Sequence, residues 1–291
     1  MNVSILAVPF DSGLRSMRMG RGPDALLRSG LGEALEAAGC GVRLTMIGLP
    51  PETFPSEIAS AFALHREIAH HVATARARHE FPIILAGNCN TALGTVAGIL
   101  GGGGAMPAVF WFDAHADFNI PETTTSGFLD GMAVTMLAGM CWQTMAASVP
   151  GFRPVPESSI ALVGARDLDP LEAALLATSR VTRIAADDVR TRLGSVVTAL
   201  AASAAESYLH VDLDVLDITE GRANSYASPD GIGREALIDA LRIIDDTLPA
   251  CALALTAYDP DGDDGRITAI AREIALRVVG RAISLDASYV R

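Results

Sequence analysis

The chain has 291 residues, of which 50% are hydrophobic and 19% are charged, so it can bury a sizeable core in one large or two small domains. Its formal net charge of −12 argues against a nucleic acid or an anionic membrane as partner, because clustered Lys and Arg bind phosphate groups. All 22 basic residues are arginine, which excludes a Schiff-base lysine and the phosphate-binding lysine of a P-loop.

Apolar runs of strand length alternate with longer amphipathic stretches along the chain. In chain order the predicted elements are strand 3–8, helix 23–38, strand 42–47, helix 56–79, strand 82–86, helix 90–100, strand 108–112, helix 131–140, strand 159–163, helix 170–177, strand 181–184, helix 187–204, strand 208–211, helix 233–246, strand 252–257 and helix 265–275. The alternation predicts an α/β protein whose mostly parallel sheet is covered by helices on both faces. Since no linker or repeat interrupts it, residues 1–291 are expected to form a single domain.

The cysteines and the apolar segments indicate a cellular location. The four cysteines form no Cys-x-x-Cys pair, and the N-terminus lacks the basic region and apolar run of a signal peptide. No stretch approaches 18 uninterrupted apolar residues, so no membrane span is expected. We therefore expect a cytoplasmic protein with reduced thiols.

Polar residues cluster directly after four of the predicted strands. Ligands of parallel α/β sheets bind outside the carboxyl ends of the strands, so these side chains are expected at one edge of the sheet. The members of the clusters are Asn88, Cys89, Asn90, Asp113, His115, Asp117, Asp212, Asp214, Asp259 and Asp261.

The acidic clusters have the spacing of a metal site. Asp113, His115 and Asp117 stand at alternate positions, so their side chains point the same way in an extended segment. Asp212 and Asp214 repeat that spacing. Carboxylates brought this close repel one another, and two divalent cations would neutralise them and activate a water for hydrolysis. The alternative is that these residues are helix caps and turn formers.

Three segments carry a family resemblance, namely AGNCN at 86–90, WFDAHADFN at 111–119 and HVDLDVLD at 210–217. Together with FDSGLRSMRMGRGPDALLRSGL near the start, they resemble the ureohydrolases, the family of arginase, agmatinase and formiminoglutamase. The resemblance implies a three-layer α/β/α domain, two divalent ions that are usually Mn²⁺, and a homo-oligomer, either a trimer or a hexamer. It also implies hydrolysis of a guanidino or related group, with release of urea or an analogous small amide.

The resemblance assigns each ligand a place in the binuclear centre. Asp113 and Asp212 would bridge the two ions, and Asp117 would also pass a proton to the departing amine. The remaining implied ligands are Asp117 and Cys89 on one ion, and His115 and Asp214 on the other.

Two further segments resemble the substrate-binding parts of arginase. In NIPETTTS, Asn119 and Ser126, with Thr124 between them, would hold the α-carboxylate of an amino acid. In RDLDP, Asp169 would contact the α-amino group. Ordinary turn chemistry and a helix cap before Pro170 are the alternatives for these residues.

Three positions depart from the family pattern. Cys89 stands where the family has a histidine ligand, and it could bind a metal weakly, shift the metal preference or be an inert buried cysteine. Asp130 stands where the family has a histidine that shuttles protons. Asp130 could relay a proton itself or could be a helix N-cap. Ala257 replaces a glutamate that grips the guanidinium, and Asp259 or Asp261 could substitute for it or could be turn residues.

The lost glutamate favours a substrate less basic than arginine. The sequence therefore predicts an amidinohydrolase that cleaves a C–N bond in an arginine-like or N-hydroxyarginine-like amino acid. Two alternatives stay open, namely an inactive or regulatory metal-binding member of the family and a related metal-dependent deacylase.

Overall fold

The computed structural model describes residues 1–101 and 103–289, with side chains described up to residue 280. In this part of the chain eight strands form one sheet, and they are β1 (Asn2–Val8), β4 (Gly41–Met46), β5 (Glu80–Ala86), β6 (Ala108–Phe112), β7 (Ile160–Val163), β8 (Thr182–Ile184), β9 (Ser207–Asp212) and β10 (Ala250–Thr256), with a separate hairpin of β2 (Phe10–Asp11) and β3 (Leu14–Arg15). The order across the sheet is β4-β1-β5-β10-β9-β6-β7-β8, and every pairing is parallel.

In the described residues, ten α-helices connect and cover the strands. They are α1 (Gly22–Arg28), α2 (Leu31–Ala37), α3 (Glu57–Ala77), α4 (Ala92–Gly101), α5 (Ala133–Leu137), α6 (Gln143–Ala147), α7 (Pro170–Ala177), α8 (Val189–Ala201), α9 (Arg234–Thr247) and α10 (Arg266–Tyr289). Within the described part of the chain, no helix is both long enough and apolar enough to cross a membrane.

Apart from its edge strands β4 and β8, the sheet is buried on both faces, as continuous apolar strands require. Along β6, Val109 and Trp111 belong to the core cluster that also contains side chains of α3, α4 and α5. Phe110 and Phe112 belong to the opposite cluster, which contains side chains of α8, α9 and α10. Because side chains alternate along a strand, one short apolar run serves both cores. The predicted three-layer α/β/α class with a mostly parallel sheet is confirmed.

Some predicted boundaries differ from the structure. The helix predicted over 23–38 is two helices, because Gly30 has a left-handed φ of 89° and breaks it between α1 and α2. The helix predicted over 131–140 is reduced to α5, which follows a 3-10 turn at Asp130–Met132. The hairpin β2–β3 and the short α6 were not predicted. The expected domain of 1–291 includes Gly102, Val290 and Arg291, which lie outside the described residues.

Candidate metal centre

The four central strands β5, β10, β9 and β6 bring the polar clusters together. Because these strands are parallel neighbours, their carboxyl ends meet at one edge, where a cavity of about 260 Å³ opens. Seven acidic side chains line it, and no arginine does among the described residues. The acidic residues are Asp117, Asp130, Asp167, Asp169, Glu172, Asp212 and Asp214.

One group of possible ligands contains Cys89, Asp113 and Asp117. Each offers a ligand atom, and these atoms all lie within 4.8 Å of one another. The chain does not reach this arrangement as an extended strand. The N–H of His115 donates to Oδ1 of Asp113 at 2.7 Å, and Asp117 has a φ of 49°. A turn therefore brings Asp117 to Asp113. The alternate spacing had predicted an extended segment instead, with the side chains pointing the same way.

A second group contains Asp113, His115 and Asp214, again within 4.8 Å. Nδ1 of His115 lies 3.3 Å from Oδ1 of Asp113 and 3.5 Å from Oδ2 of Asp214. Asp113 thus belongs to both groups. Asp212 lies beside them, since its Oδ2 is 3.0 Å from Sγ of Cys89 and its Oδ1 accepts from the N–H of Asp214 at 2.8 Å.

The electrostatics of this cluster fit a site for cations. Burial, together with the charges of Asp113 and Asp130, raises the pKa of Asp117 well above its usual range. Burial and the charge of Asp214 do the same for the pKa of Asp212. Such carboxyls take up protons unless positive charge is supplied. Carboxylates with imidazole and thiolate donors are suitable ligands for divalent ions, so the residues present fit a metal centre.

His115 supplies part of the positive charge itself. Burial lowers the pKa of its imidazole, but the hydrogen bond to Asp113 and the charge of Asp214 outweigh burial and raise the pKa to about 10. Without a metal ion, His115 is therefore protonated at neutral pH. A cation bound in the same position would have to displace that proton before the imidazole could act as a ligand.

Neighbouring groups hold the carboxylates in place. Nε1 of Trp111 donates to Oδ2 of Asp113 at 3.0 Å, and the ring of His210 stacks on Trp111 with centroids 3.6 Å apart. Nδ2 of Asn224 donates to Oδ2 of Asp214 at 3.1 Å. Asn224 was not predicted as a site residue, because Asn224 lies in an irregular segment that has no periodicity and no motif.

Cys89 is a buried thiol among acids. Burial and the charge of Asp212 raise its pKa well above the usual range, so the sulfur carries its proton in the metal-free protein. The thiol donates to Oδ2 of Asp212 at 3.0 Å, and its sulfur lies 3.1 Å from the hydroxyl of Thr256. To act as a ligand Cys89 has to release its proton to solvent as the cation binds.

Asp130 is the acceptor for the segment that carries Cys89. Its Oδ2 accepts from the N–H of Cys89 at 3.0 Å and from Nδ2 of Asn88 at 2.9 Å, while its Oδ1 accepts from the N–H of Asn90 at 2.7 Å. Burial raises its pKa to about 7, although these three hydrogen bonds act in the opposite direction. Asp130 lines the cavity, so its geometry allows the predicted proton relay as well as an anchoring role.

The residues predicted to bind substrate lie on the same cavity, with one exception. Asn119, Thr124, Ser126 and Asp169 line it. Several of them also bond locally. Oδ1 of Asn119 accepts from Thr123, and the hydroxyl of Ser126 accepts from the N–H of Phe128.

Asp259 is the exception, because it is not among the cavity-lining residues. Its carboxylate is paired with Arg21 at 2.7 Å, and Arg21 also pairs with Asp261. Ala257, by contrast, does line the cavity and brings no charge to it. The cavity also contains residues that sequence analysis missed, and these are Met19, Phe128, Gly131, Asp167, Glu172, Asn224 and Tyr226.

Fold and site together define a three-layer α/β/α protein with an acidic candidate metal centre at the carboxyl edge of its parallel sheet. Comparison with known proteins makes this more specific. The model of the arginase family matches residues 1–280, and the chain therefore belongs to that family.

Individual relatives agree with the family match. The chain is 30% identical to human mitochondrial arginase-2 over 183 residues, which are 59% of this chain and 51% of that protein. The matched part thus spans about half the length of that relative. An arginase of Brucella melitensis is 28% identical over 308 residues, which cover 97% of each protein. The crystal structure of arginase from Bacillus cereus has the same fold, with a TM-score of 0.82 at 23% identity over 95% of this chain and 98% of that one.

Proposed function

We propose that this protein is a metal-dependent hydrolase of the ureohydrolase type, acting on the guanidino-type group of an arginine-like amino acid. The observation that carries the proposal is the position of Asp113, which belongs to two groups of possible ligands at once. One carboxylate shared between two neighbouring groups is what a pair of metal ions requires. Family membership supports the same reaction class.

The proposed ligands are those named from the sequence. Cys89 and Asp117 would complete one ion, His115 and Asp214 the other, with Asp113 and Asp212 between them. Two divalent ions, Mn²⁺ in our proposal, would supply an activated water at neutral pH when bound. Family membership and the carboxylate-rich donor set support manganese.

The chain's own residues would bind the substrate and manage the proton. Asp117 is buried and lines the cavity. It would take up the proton that the activated water loses as it adds to the guanidino carbon, and would pass that proton to the departing amine as the C–N bond breaks. Asn119, Thr124 and Ser126 would hold the α-carboxylate, and Asp169 the α-amino group.

The uncharged Ala257 directs the choice of substrate. A guanidinium in this cavity gains no charge-assisted hydrogen bond from position 257, so a weakly basic group loses less there than arginine does. We therefore propose N-hydroxyarginine, or a similar modified arginine, as the substrate class. Hydrolysis would then release hydroxyurea where arginine releases urea.

Metal content and product release test the proposal together. The purified protein is reloaded with Mn²⁺, assayed for two ions per chain, and offered guanidino, N-hydroxyguanidino, formimino and acylated amines. We expect hydroxyurea or urea to form, and we expect Asp113→Ala and Asp212→Ala to abolish metal binding. Two ions per chain without turnover would contradict the enzyme, and release of an acid from the acylated amine would favour a deacylase.

We further propose a cytoplasmic homo-oligomer, either a trimer or a hexamer, since the family resemblance implies that assembly. Light scattering coupled to size-exclusion chromatography measures the mass directly. A mass of about 30 kDa, that of the single chain, would contradict the assembly.

A further inference from the structure

A line of buried polar side chains leads away from Cys89 into the sheet. Sγ of Cys89 lies 3.1 Å from Oγ1 of Thr256, and Oγ1 of Thr256 lies 3.3 Å from Nε2 of His210. Nδ1 of His210 lies 2.9 Å from the hydroxyl of Tyr208. The side chains of Thr256, His210 and Tyr208 are all fully buried. Nothing in the proposed chemistry uses them.

The parallel register explains why these groups meet. Tyr208, His210 and Asp212 alternate along β9, so they point to the same face. Thr256, at the end of β10, is paired with Asp212 on one side and with Ala86 of β5 on the other. It therefore sits between the strand that bears Asp212 and the strand that leads to Cys89.

Once Cys89 binds a cation, the donor and the acceptor of each hydrogen bond in this line are fixed. A thiolate can only accept hydrogen bonds, so the hydroxyl of Thr256 has to be the donor to sulfur. The oxygen of Thr256 is then free to accept from Nε2–H of His210. A neutral imidazole has one N–H only, so its Nδ1 accepts from the hydroxyl of Tyr208. Among the side chains and carbonyls that the structure describes, the competing acceptor for Thr256 is the carbonyl of Val211, at 3.4 Å.

We propose that Thr256 is a positioning residue for Cys89, donating a hydrogen bond to its sulfur in the metal-loaded protein, with His210 and Tyr208 fixing the direction of that bond. This role rests on the proposed function, in which Cys89 is a ligand. It addresses a difficulty of that site, because the sulfur lies 3.0 Å from a carboxylate oxygen of Asp212 and a thiolate there is repelled. A hydrogen bond donated to the sulfur by Thr256 offsets part of the repulsion.

Loading the protein with Co²⁺ allows the role of Thr256 to be measured without an activity assay. A thiolate bound to Co²⁺ gives a charge-transfer band in the near ultraviolet, and we expect this band in the native chain and its loss in Cys89→Ser. Thr256→Val keeps the shape of the side chain and removes the donor. We expect the band to move to longer wavelength, because an unbonded sulfur gives up its electrons more readily, and the affinity for Co²⁺ to fall about tenfold.

Three further variants make the test specific. Thr256→Ser keeps the hydroxyl and should restore the native band, while Tyr208→Phe should shift the band less than Thr256→Val does. Thr135→Val is the matched control, because the hydroxyl of Thr135 lies 3.3 Å from the sulfur of Cys141, which is buried and does not line the cavity. It should leave the cobalt band unchanged.

The possible failures of the two proposals can be told apart. A band of native position in Thr256→Val would overturn the role of Thr256 while leaving Cys89 a ligand. A native chain without the band would overturn both this role and the place of Cys89 in the metal centre. Absence of turnover on every guanidino substrate, with the band shifted as expected, would contradict the hydrolase and support the role of Thr256.

Discussion

Arg21 and Asp259 form an ion pair at 2.7 Å between Nη2 and Oδ1, and this pair keeps the Asp259 carboxylate away from the cavity. Nη1 of the same guanidinium donates to Oδ1 of Asp261 at 2.9 Å, so Arg21 fastens the turn after β10 to the segment before α1. The pair thus joins the end of a central strand to the N-terminal part of the chain.

We expect Asp259→Asn to affect stability and not substrate binding. The pair is partly exposed, so its loss should lower the free energy of unfolding by about 0.5–1 kcal/mol and leave KM unchanged. Arg21→Gln removes the pair with Asp261 as well, so it should lower the free energy of unfolding by at least as much. Urea denaturation and steady-state kinetics measure the two effects. A large rise in KM for Asp259→Asn alone would mean that its carboxylate grips the substrate, as the sequence suggested.

Asp130→Ala should weaken the segment that carries Cys89. The substitution leaves the buried N–H groups of Cys89 and Asn90 without acceptors, which costs about 2 kcal/mol or more. Asp130→Asn keeps one acceptor oxygen and should lose about half as much. Denaturation of the metal-free protein isolates this effect from metal binding. If Asp130 is also the predicted proton relay, Asp130→Asn will lower kcat by more than the loss of stability can explain. The dependence of kcat on pH that is due to Asp130 will then disappear.

Binding of Mn²⁺ should release protons and become tighter as pH rises. The pKa of His115 is about 10 in the metal-free protein, and those of Asp117 and Asp212 are raised, so these groups bind protons that a cation must displace. Each released proton makes the affinity about tenfold stronger per pH unit. Calorimetric titrations in buffers of different ionisation enthalpy count the protons. An affinity that stays constant between about pH 6 and about pH 8 would be inconsistent with protonated carboxyls at this site.

The raised pKa values of the buried carboxyls also determine how the free energy of unfolding changes with pH. A carboxyl whose pKa is raised by folding stabilises the folded state at low pH, and that contribution is lost as pH rises through the folded-state pKa. For Asp130, whose folded pKa is about 7, the loss falls between its ordinary value near 4 and neutrality. Because Mn²⁺ is expected to bind more tightly as pH rises, added Mn²⁺ should raise the melting temperature more at about pH 8 than at about pH 6.

Ala257→Glu should move the specificity toward arginine. The residue is buried on the cavity, so a carboxylate there would meet the guanidinium that the native chain leaves without an acidic partner at this position. A charge-assisted hydrogen bond of about 1.5–3 kcal/mol corresponds to a rise of about 10-fold to 100-fold in kcat/KM for arginine relative to N-hydroxyarginine. Ala257→Gln has the same bulk and backbone and no charge. An equal change in both variants would show that charge at position 257 does not decide the substrate.

Sequence periodicity predicted the layers because burial determines which positions in a strand or helix are apolar. The run ending at Phe112 is apolar at every position, as a strand covered on both faces must be, and it is fully buried. The break at Gly30 was missed because an amphipathic pattern continues across it, and only the left-handed φ of that glycine interrupts the helix. Periodicity records which face is buried and not where the backbone turns.

The candidate site was predictable where its residues follow strands. Cys89, Asp113 and Asp212 stand at strand ends, so a parallel sheet brings them together in any register that buries its apolar runs. Asn224 reaches Asp214 from an irregular segment, and Glu172 reaches the cavity from α7. Their positions depend on the path of loops, which no local pattern encodes. The pairing of Asp259 with Arg21 spans 238 positions in sequence and was invisible for the same reason.

Strand β10 is the last strand that the structure describes in chain order, yet it occupies the middle of the sheet between β5 and β9. During synthesis the earlier strands leave the ribosome first, so Cys89, which follows β5, stays apart from the other proposed ligands, which follow β6 and β9, until β10 joins the two parts. A nascent chain that ends before Ala250 then lacks Cys89 at its centre, and such non-local pairing is slow to form. Completion of the metal centre would accordingly be among the last events of folding, and a refolding chain should become fully resistant to chelators only after β10 has docked.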